Sequence, residues 1–171
     1  GTSSLVLSSA FSTALSGAIS GSGAVTLNAT GGTISLSGPN TSTGTTLISG
    51  GTVRVGAGGA TGALGAGAIT NNAALVFNRT GTLTVSAAIS GTGSVEQSGS
   101  GVTALSGPVS HTGGTTVTAG TLRVGAGGTT GTLAGNVVTQ GVLGFDRSDE
   151  FTFAGAISGA GGVTQTGTGN L

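Results

Sequence analysis

The chain has 171 residues, no cysteine, and four arginines balanced by four carboxylates for a formal net charge of zero. Disulfides, thiolate metal sites and an electrostatic hold on nucleic acid are thereby excluded. Charged residues make up 5% of the chain, against about 25% in ordinary globular domains, and 38 residues are glycine, so the surface is built from Thr, Ser and Asn side chains.

The N-terminal Gly1-Thr2-Ser3-Ser4 has neither the basic region nor the apolar stretch of a secretory leader, so the sequence reads as a mature or excised piece of an exported chain. No apolar run approaches the roughly 18 residues of a membrane helix, and aromatics, at 3% and all Phe, do not furnish the girdles of a membrane barrel. Short β-branched stretches follow in chain order: Val25–Leu27, Thr33–Leu36, Leu47–Ser49, Thr52–Val55, Ala68–Thr70, Leu75–Phe77, Leu83–Val85 and Ala88–Ser90. Gly, Asn or Ser punctuates the gaps, and no window carries a 3.6-residue apolar period, so the chain reads as all-β with no significant helix.

The same elements then recur. LSGPNTSTGTTLISGGTVRVG at 36–56 returns as LSGPVSHTGGTTVTAGTLRVG at 105–125, with Leu36 and Leu105 separated by 69 residues. The AISG marker occurs at Ile19, Ile89 and Ile157, and ALVFNR at 74–79 returns as VLGFDR at 142–147. One domain spanning 1–171 is therefore divided into repeats at roughly 15–83, 84–151 and a partial 152–171. A sandwich has no reason to copy eight consecutive strands, whereas a solenoid buries equivalent slots on successive rungs. The expected architecture is a right-handed parallel β-helix, a three-sided β-solenoid with nearly three rungs per copy. Val53, Val55, Leu122 and Val124 are expected to point inward and Arg54 and Arg123 outward, because neighbouring strand residues alternate faces. Stacking of equivalent slots further predicts Arg54 with Arg123, and Arg79 with Arg147, on one face about three rungs apart. The slot of Leu27, Gln97 and Gln165 requires either an ended strand or a hydrogen-bonded buried amide.

The two 21-residue blocks resemble the autotransporter passenger-associated strand repeat, of general form LSGxNTYTGGTTVxxGTLxVG. The second block keeps Leu105-Ser106-Gly107, Thr112 to Val117 and Gly120 to Gly125. It departs where Ser42 and His111 replace the aromatic, where Val109 replaces the Asn kept as Asn40, and where Thr45 replaces a Gly. The resemblance implies a type V secreted passenger on the surface of a Gram-negative bacterium, a β-helix outside the cell, with an outer-membrane translocator barrel beyond this chain.

Candidate chemistry is sparse. Asp146, Arg147, Asp149 and Glu150 form one charge cluster, which could suit paired-carboxylate glycoside chemistry or calcium. The corresponding FNRTGTL at 77–83 has no carboxylate, so a solvated corner with a local Asp/Arg pair is the simpler reading. His111, beside Ser110, is expected on a surface loop rather than in a nucleophile–base pair, since adjacent strand side chains diverge. No GxSxG, Walker A, HExxH or calcium nonapeptide motif occurs, so neither catalytic residues nor a cofactor or metal are expected and the chain is not read as an enzyme. Possible surface contacts are Arg54, Arg123, Arg79, Arg147 and His111. The leading expectation is an adhesive stalk with distributed lateral contacts to a glycan, a protein or another copy. A filament stacking end to end is the alternative; an ice-binding solenoid or glycan-active enzyme ranks lower, because Thr82-Leu83-Thr84 aligns with Glu150-Phe151-Thr152 rather than with a regular TxT ladder.

Overall fold

The computed structural model describes residues 3–171, so the reading made on Gly1 and Thr2 falls outside the described residues. Every strand–strand pairing is parallel, and the described residues contain no helix. The chain winds as a β-solenoid whose rungs build three ladders. Face 1 is laid down by Leu5–Ser8, the first parts of Val25–Leu36 and Thr46–Val55, then Ile69–Asn71, Ile89–Ser90, Pro108–Val109 and Thr132–Leu133. Face 2 runs through eight rungs at Thr13, Ile34, Val53, Leu75, Val95, Thr115, Val137 and Ile157. Face 3 is shorter, with five strands: Thr82–Val85, Val102–Leu105, Thr121–Val124, Val142–Phe145 and Gly162–Gln165.

Alternation along each strand fills the interior. Val53, Val55, Leu122 and Val124 are wholly buried, while Arg54 and Arg123 between them stand outward and half-buried, as the pattern predicts. One continuous apolar cluster joins the three faces, from Val25 to Phe145. At about 0.8 kcal/mol per buried methylene, these ladders supply the main drive for winding, because rung-to-rung hydrogen bonds only replace those made to water. Gln97 is 1% exposed and resolves its slot by bonding: its amide donates to the carbonyl of Gly99 at 2.8 Å, and its Oε1 accepts from the Thr103 hydroxyl at 2.7 Å. Gln165, one face further on, is exposed.

The repeat and the rung have different lengths, which corrects the expected stacking. Thr115 lies three rungs above Val53 and 62 residues on; Leu122, the sequence equivalent of Val53, comes seven residues later and sits on face 3. Each copy thus spans three rungs and one further strand. Phe77 lies on face 2 and Phe145 on face 3. The AISG markers step likewise: Ile19 lies under Thr41 on the third side, Ile89 on face 1 and Ile157 on face 2. Equivalent residues keep their inward or outward sense but never stack on one another. Arg54 and Arg123 therefore occupy different faces, and the same shift separates Arg79 from Arg147.

Glycine permits this winding at two kinds of place. In GAGGATG at 56–62 and GAGGTTG at 125–131, the first, third and seventh residues all have positive φ, from 82° to 105°, a region costly for side chains with a Cβ. At the corner, a Cβ on Gly67 would overlap the backbone carbonyl of Gly44 beneath it, so the rungs close there backbone on backbone.

Candidate functional site: outward rows and arginine-clamped loops

The candidate site is the outer surface of the coil. On face 1 the outward row runs Val6, Thr26, Leu47, Thr70 and Ser90 and carries no charge. On face 2 it runs Ser35, Arg54, Val76, Glu96, Thr116 and Val138. On face 3 it runs Thr84, Ala104, Arg123, Gly144 and Thr164. Among the described residues these rows do not repeat a two-column threonine ladder of the kind expected for ice binding. Small neighbours flank Arg123: Ala104 below is fully buried and Gly144 above has no side chain, so the arginine stem lies along the sheet toward Asp146 at 3.4 Å.

Arg79 and Arg147 are clamps rather than free surface cations. The Arg79 guanidinium donates to the carbonyls of Gly62 and Ala60, and that of Arg147 to the carbonyls of Gly131 and Thr129. In both copies the arginine reaches down to the glycine loop of the preceding rung and closes it from above. The backbone repeats the device, with Gly58 donating to Asn78 at 3.0 Å and Gly127 to Asp146 at 2.9 Å. The sequence held a signal for it: GAGGxTG and F(N/D)R recur together, about one rung apart. The copies differ in one respect. Arg147 Nε donates to Asp149 at 2.9 Å, whereas Arg79 Nε is buried without a partner because Gly81 stands where Asp149 stands.

The carboxylate cluster behaves as a structural corner. Arg147 pairs with Asp149 at 2.7 Å and lies 4.7 Å from the Phe151 ring centroid. The hydrogen bond from Arg147 holds the Asp149 carboxyl below its ordinary range, the reverse of what a glycosidase general acid needs. No three of His, Asp and Glu gather into a metal-binding group among the described residues.

His111 departs from its expected place. It is 2% exposed, not on the surface, with Nε2 3.0 Å from the Gly114 carbonyl and 3.1 Å from the Thr115 hydroxyl, and Nδ1 buried without a partner. The reason is period two: Val109 points inward, so His111 two residues on points inward as well. Burial pushes its pKa down, partly opposed by the Gly114 carbonyl. Ser42, its counterpart, is also buried, so this motif position belongs to the core in both copies. The exchange of Asn40 for Val109 has a physical cause too. Asn40 lies on the third side where no ladder exists, and its amide accepts from the Ile19 N–H at 2.7 Å and donates to the Ala63 carbonyl at 2.8 Å, linking three rungs. Val109 lies on face 1, where strand pairing does that work.

The passenger-associated transport repeat model matches residues 31–55 and 95–124. The chain is also similar to the adhesin BmaC autotransporter of Brucella suis biovar 1 (strain 1330), 44% identical over 154 residues. That match covers 78% of this chain and 4% of the length of the relative. No solved structure matches the chain.

Proposed function

From the premise that this chain is a β-solenoid segment of autotransporter passenger type, built on passenger-associated transport repeats, we propose that it is an adhesive stalk. It forms one unit at the bacterial surface, tethered through a translocator barrel elsewhere in the full-length protein. The observation that carries the reading is the stepping of the repeat. Each copy shows its outward residues on a new face, so contacts are spread around the axis rather than gathered in a cleft. The partner we infer is a glycan or protein of a cell surface, held by many weak contacts distributed over the faces. Face 1, uncharged and hydroxyl-bearing, is the leading contact row, and Arg54 and Arg123 punctuate the other two.

The test is binding of the fluorescent segment to host cells, with and without glycosidase treatment, against a Thr26→Lys/Thr70→Lys/Ser90→Lys variant of unchanged melting temperature. Saturable binding that the variant loses supports the reading. Equal binding by both proteins excludes face 1, and no binding by either refutes adhesion through this segment. Sedimentation over micromolar concentrations separates a monomer from self-assembling rods and decides against the stalk if filaments form.

A further inference from the structure

Face 3 contains a strand edge in the middle of the solenoid. Faces 1 and 2 are paired from Leu5–Ser8 and Thr13–Leu15 upward, but the face 3 ladder starts only at Thr82–Val85, which pairs with Val102–Leu105 above and ends the five-stranded sheet below. The third side of the lower rungs, 37–45 and 56–68, passes as loops. The loop rung is bonded to the rung beneath it, with the Ala66 N–H donating to the Ser42 carbonyl at 2.7 Å. A groove of about 270 Å3 opens between the loop rung and the strand, lined by Asn40, Thr41, Gly65, Ala66, Thr84 and Ser86 among others.

The direction of the free hydrogen bonds follows from the pairing. The carbonyls of Gly81 and Val85 accept from Val102 at 3.3 Å and Ser106 at 2.9 Å above. Alternation along a parallel strand then turns the N–H and C=O groups of Thr82 and Thr84 downward, and Thr84 lines the groove. Among the described residues these groups have no backbone partner. We propose that this edge is a β-augmentation site that takes one extended peptide of another protein as an added strand. A row of alternating backbone donors and acceptors is matched by another extended backbone, which distinguishes it from a sugar site. No charged side chain lines the groove, and its floor and walls are Gly, Ala, Ser, Thr and Asn with Leu64, Leu83 and Val85. The fitting segment is therefore uncharged, with small or β-branched residues. A second solenoid cannot present its packed edge here, because the free groups point along the axis into the groove rather than outward. The site is separate from the face 1 row, so failure of either leaves the other standing.

The probe is a fluorescein-labelled GVTALSG peptide, the sequence of 101–107 that already pairs with the upper side of the same strand. Thr84→Pro removes the groove-facing donor at a position where an edge strand tolerates proline. Saturable binding to the 171-residue chain, weakened at least tenfold in a Thr84→Pro variant that keeps its circular dichroism, is expected. Amide exchange gives a second reading on the unmutated chain. The Thr84 amide should exchange quickly when free, unlike Val85, and slow at least tenfold with peptide. Unchanged binding by folded Thr84→Pro, a slow Thr84 amide in the free protein, or binding of neutral oligosaccharide without peptide binding would each overturn the proposal.

Discussion

Replacing Gly81 with Asp should stabilise the solenoid by giving the first arginine clamp the partner that the second already has. The site is open: a Cβ on Gly81 meets nothing within 4 Å, and its φ is not positive. The buried Nε of Arg79 has no acceptor, whereas the same atom of Arg147 bonds to Asp149 at 2.9 Å. An unmet buried donor costs about 1–3 kcal/mol, and because the new carboxylate sits at a half-exposed corner the lower end, about 1 kcal/mol, applies. Losing glycine's unfolded-state freedom adds about 0.4–1 kcal/mol. A total near 1.5–2 kcal/mol corresponds to a rise of roughly 3–8 °C in Tm for a domain of this size. Thermal and urea unfolding followed by far-UV circular dichroism measure it, with Gly81→Ala isolating the backbone part. Gly81→Asp should exceed Gly81→Ala, and the excess should vanish in an Arg79→Met background and shrink in high salt. If Gly81→Asp is no more stable than Gly81→Ala, an acceptor at position 81 does not satisfy the Arg79 Nε and the reasoning fails.

Val124→Asp places a carboxylate in the core and should lower stability by several kcal/mol, whereas Arg123→Ala should cost under about 1 kcal/mol; equal melting of the two would refute the inward and outward assignment. His111 is held neutral by burial, its folded pKa lying below the unfolded value of about 6.5, so the unfolded chain takes up protons first as pH falls. Stability should therefore decline below about pH 6.5 and be flat above it, and His111→Phe should abolish the decline in melting scans from pH 7.5 to 5. Asp149 has the opposite linkage: its lowered pKa favours the fold above the ordinary carboxylate range, and that contribution fades as pH falls through it, an effect that Asp149→Asn should remove from acid unfolding curves.

The sequence was sufficient for much of this architecture because period two and the 69-residue recurrence are local records of burial. Val53, Arg54 and Val55 declare their sides without any knowledge of the rung. What remained hidden was the rung length, which depends on how many residues each corner takes. The step from Thr46 to Ile69 is 23 residues and that from Ile69 to Ile89 is 20, and nothing in the recurrence reveals either. Arg79 and Arg147 were legible as equivalents but not as clamps, since their acceptors are backbone carbonyls of glycine loops that carry no side-chain signature. His111 was misplaced because a lone polar residue near Gly looks like a loop. Its spacing of two from Val109 was the better guide.

The mismatch between repeat and rung can be measured directly, and it bears on what the segment does. Spin labels on cysteines at Arg54 and Thr116 share face 2, three rungs apart, so their backbones should lie about 14 Å apart at the ~4.8 Å strand spacing. Labels at Arg54 and Arg123 lie on different faces and should report a longer distance that includes the width of the coil. If 54–123 proves the shorter pair, equivalent residues stack after all and the three-rungs-and-one-strand register is wrong. If 54–116 is shorter, evolution of one outward position in the repeat cannot build a stripe, because each copy carries that position around to the next face. A passenger built from many such copies would then present the same residue in every direction around its axis. A surface reached from any side can engage that arrangement, whereas a single rigid partner docked along one face can read only every third copy.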